Sequence, residues 1–146
     1  MKLRMFLAIL CLIATSPYRA DAQQDRPPDS TVSEFQKDFA AAYHRRDVDA
    51  MAGAFTEAAI RVTPSGIFEG RDAIRRGFQD ALKVGLHDYS VRRVHSRSEG
   101  RFVFNVGEWQ ATVGDQPLRG YYTAILVTEG GQTKIMEETV TIASPR

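Results

Sequence analysis

The sequence predicts an α+β fold: three N-terminal helices packed on a curved, mostly antiparallel sheet. Three observations carry this. Apolar residues recur at three- and four-residue steps in the first half of the chain only. The second half reads as four long strands separated by turns containing glycine, at regular spacing. Helices that come mostly first and strands that come mostly last form two layers, with the helices on one face of the sheet.

The elements follow in order. Thr31, Val32, Ser33 and Glu34 fit a capping box, in which the hydroxyl and the carboxylate each satisfy a free backbone N–H. Val32, Phe35, Phe39, Ala42 and Tyr43 then line one face of a first helix. Asp47 is placed to cap a short second helix, with Val48, Met51, Ala52 and Phe55 turned inward. Residues 58–63 read as a strand, Pro64, Ser65 and Gly66 as a turn, and residues 67–69 as a short strand. Gly70 opens a third helix with Ile74, Phe78, Ala81 and Leu82 inside, and Gly85 stands just past its end. Strands are expected at 89–98, 101–113, 118–128 and 133–142, joined as a meander.

Residues 1–22 read as a cleavable secretory signal. Lys2 and Arg4 precede a run of 11 nearly all apolar residues, and Ala20, Asp21 and Ala22 form a small-x-small cleavage pattern. The run is shorter than the roughly 20 residues that span a bilayer. Cleavage after Ala22 removes Cys11, the only cysteine, so the mature chain has neither disulfide nor thiol nucleophile. It also removes Lys2, Arg4 and Arg19 from the 19 basic residues and Asp21 from the 18 acidic ones, leaving a chain close to neutral. A nucleic-acid surface would need a basic excess, and no later segment reaches membrane length. Neither partner is expected of the mature protein, and the expected location is the periplasm or the extracellular space. Residues 23–30, polar and containing Pro27 and Pro28, read as a flexible leader, and residues 31–143 as the single domain.

The long strands are apolar on both faces. Phe102, Phe104 and Val106 alternate with Val103, Trp109, Ala111 and Val113. Tyr122, Ala124 and Leu126 alternate with Tyr121, Ile125 and Val127. A sheet with one wet face would alternate apolar and polar. The helices can cover only one face, so a second copy of the chain is expected on the other.

These residues also resemble a known family. Phe39-Ala-Ala-Ala-Tyr-His-Arg-Arg-Asp-Val-Asp-Ala, Phe55-Thr-Glu-Ala-Ala, Pro64-Ser-Gly and Gly70-Arg-Asp-Ala-Ile run through the first half. The span from Gly120-Tyr-Tyr-Thr to Glu129-Gly-Gly-Gln-Thr-Lys-Ile closes the second. Together they resemble the SnoaL-like, ketosteroid-isomerase-like branch of the nuclear transport factor 2-like superfamily, with its cystatin-like α+β barrel. The resemblance implies a cone-shaped cavity between helices and sheet, and a dimer through the outer sheet face. It does not imply steroid isomerisation. That chemistry needs a carboxylate base and an oxyanion hole made by a Tyr and a protonated Asp, whereas the matching positions hold Phe39, Thr63 and Thr123.

His44, His87 and His95 have no metal-ligand spacing, no glycine-rich phosphate loop is present, and no serine sits in a nucleophile elbow. No metal and no cofactor are expected. His87, which follows the third helix, is the histidine best placed for a pocket. Glu137 and Glu138 are adjacent on a strand and so face opposite ways. Glu138, in step with Met136, Val140 and Ile142, is the candidate cavity carboxylate, and Glu108 beside Trp109 is a second. For each, a salt bridge to a nearby arginine is the competing role. The expected pocket comprises Phe39, Tyr43, Phe55, Thr63, His87, Trp109, Tyr122, Met136 and Glu138. The function that follows is binding of a small, largely apolar molecule. The alternatives are a cofactor-free acid/base enzyme using Glu138 or Glu108, and an assembly module whose cavity its own side chains fill. An open cavity with a lone carboxylate would favour the enzyme, one without it the binder, and a filled cavity the module.

Overall fold

The structure, a computed structural model, describes residues 29–144. The expected signal at 1–22, and residues 23–28 of the expected leader, lie outside the described residues. Three helices come first: α1 (Asp29–Arg45), α2 (Val48–Gly53) and, after the hairpin of β1 (Phe55–Thr63) and β2 (Gly66–Glu69), α3 (Arg71–Lys83). The rest is β3 (Leu86–Glu99), β4 (Phe102–Val113), β5 (Gln116–Glu129) and β6 (Gln132–Ile142).

The six strands form one mixed sheet in the order β2-β1-β6-β5-β4-β3. Every neighbouring pair is antiparallel except β1 and β6, which run parallel. The meander β3 to β6 thus carries the chain back to lie beside β1. The sheet curves round the helices without closing, so β2 and β3 remain its edges.

Local chemistry sets the helix ends. Asp47 Oδ1 accepts from the Ala50 N–H at 2.9 Å, which caps α2. Gly85 adopts φ +87° just after α3, a conformation that costs glycine little. At α1 the structure differs from expectation. The helix begins at Asp29, so Thr31 lies within its first turn and the capping box does not form the start. Asp29 and Ser30 belong to the domain rather than to a leader. No helix breaker follows Pro28, so the helical turn extends back toward it. Phe55 is also reassigned, from α2 to the first residue of β1. Ile135 N–H donates to Ala54 O at 2.8 Å, and this ladder with β6 pulls the chain into the sheet straight after the α2 cap.

The core lies between the helices and the inner sheet face. Phe39 from α1 meets Phe55 from β1 and Phe78 from α3 edge-on, and Phe55 and Phe78 meet at a tilt, with ring centroids 5.8–6.2 Å apart. Met51, Ala52, Ile74 and Leu82 complete the helical side. The inner face of β4 and β5 supplies Val103, Trp109, Ala111, Tyr122, Ala124 and Leu126, all buried.

A bulge decides which residues of β6 face inward. Ile125 pairs with Glu137, but the next residue of β5, Leu126, pairs with Ile135, leaving Met136 as the extra residue. One extra residue reverses the alternation beyond it. Ile135 and Glu138 are therefore both buried on the inner face. This corrects the expected grouping: Met136 does not share a face with Glu138 and does not line the cavity.

Candidate functional site

A cavity of about 560 Å³ lies between α1, α3 and the concave face of the sheet. Its walls are mostly apolar, from Phe68, Leu86, Trp109, Val113, Leu118 and Val140. Trp109 is fixed in this wall by its ring N–H, which donates to Thr141 O at 3.0 Å.

The polar part of the cavity is one cluster. β1 and β6 pair in a register that sets Arg61 beside Glu138. Arg61 Nε lies 2.6 Å from Glu138 Oε2, with the side chains only 11% and 7% exposed. The guanidinium also stacks over Phe78, 4.4 Å from the ring centroid. Burial works against the Arg61 charge, but the Glu138 carboxylate, joined by Tyr43 and Tyr89, outweighs it and holds Arg61 above its ordinary range. The Arg61 charge acts on the Tyr43 hydroxyl, and the Tyr43 ring stacks on Tyr89 with centroids 4.0 Å apart. Burial pushes the Tyr43 hydroxyl up to about 12, against the pull of Arg61 and with a further push from Glu138. Burial, then Tyr43 and Glu138, raise Tyr89 well above the ordinary tyrosine value. Tyr122 is raised by burial too, opposed by the hydrogen bond that Gln36 Nε2 donates to its hydroxyl at 2.7 Å. Gly107 makes room for that ring: a Cβ there would collide with Tyr122. The cluster is a charge-neutral ion pair ringed by three tyrosine hydroxyls that stay protonated at neutral pH.

The structure brings together Tyr43, Thr63, Trp109, Tyr122 and Glu138 around this cavity. Four expected pocket residues are not in its lining. Phe39 faces a smaller space behind it. Phe55 is fully buried among the helical aromatics. Met136 is carried off by the bulge. His87 is half-exposed, its Nδ1 against Gly85 O at 2.9 Å, because the chain turns through Asp88 at φ +51° before β3 settles into register. Glu108 is corrected as well. It lies on the outer sheet face, opposite in alternation to Trp109, and pairs with Arg92 at 2.7 Å. Thr123 is likewise exposed on the outer face of β5, so it is not a cavity position; the inward residues beside it are Tyr122 and Ala124.

Sequence reasoning passed over Arg61 and Tyr89. Arg61 stands two residues before Thr63 on the same strand, so alternation alone would have placed it on the same face. Among the described residues, no group of three or more His, Cys, Asp or Glu is placed to hold a metal ion. Among the same residues, no helix is long and apolar enough to cross a membrane.

Helices packed over a curved, open sheet are the architecture of the nuclear transport factor 2-like class of α+β proteins. Within it, the family model of the SnoaL-like domain matches residues 37–137, and the chain belongs to that family. No curated protein matches the sequence. Solved structures share the fold at low identity. One is an NTF-2-like protein of unknown function from Shewanella oneidensis MR-1, with TM-score 0.71, 15% identity, and 79% of this chain and 99% of that one covered. Another is a ketosteroid isomerase-like protein from Erwinia carotovora atroseptica SCRI1043, with TM-score 0.70, 13% identity, and 80% and 96% covered. A third is a protein of unknown function with a cystatin-like fold from Nostoc punctiforme PCC 73102, with TM-score 0.69, 12% identity, and 78% and 90% covered.

Proposed function

We propose that this protein is exported, cleaved after Ala22, and binds a small, largely apolar molecule carrying a neutral polar group. The observation that carries the reading is the open cavity of about 560 Å³ whose polar groups are gathered at one place. Small-molecule sites are of this size, mostly apolar, with a few convergent polar groups. The Arg61–Glu138 pair balances its own charge, so a charged ligand gains no unpaired partner. The protonated hydroxyls of Tyr43 and Tyr89 are available to orient a polar end. An assembly module filled by its own side chains does not fit a cavity this open.

Self-association through the outer sheet face belongs to the same proposal. Val106 and Tyr121 are 42% and 52% exposed there, next to Phe102, Phe104 and Ile125. Arg101 and Arg97 stack over Phe102 and Phe104 on this side, so the patch is apolar with a basic fringe.

A cofactor-free acid/base enzyme is the second reading. It is favoured by one carboxylate and three tyrosines lying together. The carboxylate is not alone, however: a base at Glu138 would have to loosen a 2.6 Å bond to Arg61 before taking a proton.

Trp109, the only tryptophan, lines the cavity and reports on it. Titrating the mature protein with medium-chain alcohols should shift its emission saturably, and Val140→Trp, read by calorimetry, should block binding by filling the space. Alcohols that bind with equal affinity to wild type and to the filled variant would show that the cavity is not the site.

A further inference from the structure

Behind the main cavity lies a second space of about 20 Å³, the room one water-sized group needs. It shares Tyr89, Tyr122 and Glu138 with the main cavity and adds Gln36 and Asn105. Asn105 sits on the inner face of β4, paired with Ala124 of β5, and is only 2% exposed. Its Oδ1 is buried and has no hydrogen-bond partner among the described residues. Buried acceptors are nearly always paired, so an orphan facing a small space points to what the space receives.

We propose that this inner pocket is a binding site for a single O–H group, which donates to Asn105 Oδ1. The chemistry of the lining selects that group. Asn105 Oδ1 and the Glu138 carboxylate both accept. The Tyr122 hydroxyl accepts from Gln36 and keeps its own proton to donate. An O–H group both donates and accepts, so it suits all of them. A carbonyl or carboxylate would bring a further acceptor to a pocket already holding two. The volume admits nothing much larger than a hydroxyl. Two sources share this chemistry: a permanently held water, or the hydroxyl end of the molecule in the main cavity, reaching in between Tyr89 and Tyr122. The second rests on the small-molecule reading above; the first does not.

The test uses the mature wild-type protein, octanol and octyl methyl ether, which match in apolar length while the ether lacks the donor. High-resolution crystal structures are solved free and with each probe, and affinities are measured by calorimetry for wild type and for Asn105→Leu, which keeps the approximate size and removes the acceptor. If the ligand supplies the group, octanol binds wild type about tenfold tighter than the ether, its oxygen lies on Asn105 Oδ1, and Asn105→Leu erases the preference. If water supplies it, an ordered water sits on Oδ1 in the free and bound crystals, and the two probes bind alike. The proposal is overturned if the wild-type crystals show neither oxygen at Oδ1, or show the amide turned to bond within the chain. Should neither probe bind wild type, the small-molecule reading loses its support, while the free crystal still decides the Asn105 site.

Discussion

Replacing Glu138 by Gln keeps the shape of the side chain and removes the one anion facing Arg61. Both partners are nearly buried, at 11% and 7% exposed, and 2.6 Å apart. Removing one member of such a pair typically costs about 3–5 kcal/mol, because the other charge is left uncompensated. The Gln carbonyl still accepts a hydrogen bond, which returns about 1 kcal/mol. The stacking of Arg61 on Phe78 is present in both proteins and offsets nothing. The net expectation is a loss of about 2–4 kcal/mol. For a chain of this size each kcal/mol lowers Tm by about 3–5 °C, so Tm should fall by about 6–20 °C in a calorimetric scan. Two controls bound the cause. Glu137→Gln, on the exposed outer side of β6, should change stability by no more than about 0.5 kcal/mol. Arg61→Met combined with Glu138→Leu removes both charges together and should recover most of the loss. A Glu138→Gln protein melting within about 2 °C of wild type would refute the claim that this pair is a buried, mutually dependent unit.

Three further outcomes follow from other parts of the molecule. Tyr43, Tyr89 and Tyr122 all ionise above the ordinary tyrosine value of 10 in the folded state. A raised folded pKa stabilises fully below the unfolded value and is lost as pH rises through the folded one. Stability should therefore hold up to about pH 10 and fall as pH rises toward 12 and beyond, and an ultraviolet titration showing these three ionising at the ordinary value in folded protein would contradict the site geometry. Light scattering at micromolar concentration should give twice the subunit mass, reduced to one subunit by Val106→Glu on the outer face; a wild-type monomer would remove the self-association proposal. Protein recovered after export should begin at Gln23, as read by intact mass and N-terminal sequencing, and a mature chain still carrying Cys11 would exclude the cleavage site.

Helices were the most legible part of the sequence. Val32, Phe39, Ala42 and Tyr43 on α1, and Ile74, Phe78 and Leu82 on α3, are the buried residues that three- and four-residue spacing picks out. Strand faces were legible wherever the ladder is regular: Trp109 and Tyr122 face inward by simple alternation. By the same rule Glu108 beside Trp109 had to face outward, and Arg61 had to share a face with Thr63. The misplacements fall where regularity breaks. The bulge at Met136 separates the Ile135 and Glu138 faces from simple alternation. The register shift between His87 and Ser90 does the same at the start of β3. A bulge is fixed by how two strands pair, which no local pattern in either strand records. The Arg61–Glu138 contact is likewise a product of the parallel β1–β6 pairing, across 77 residues of sequence. Asn105 carried a weaker sign: it is the polar residue on the otherwise apolar inner face of β4, between Val103 and Gly107.

Native mass spectrometry of the mature protein purified from its own host tests the central claim most directly. The account predicts a small, largely apolar molecule travelling with wild-type protein and absent from Val140→Trp, whose added ring occupies the cavity. Wild-type protein that carries nothing, and that takes up nothing when incubated with an extract of the same host, would contradict it.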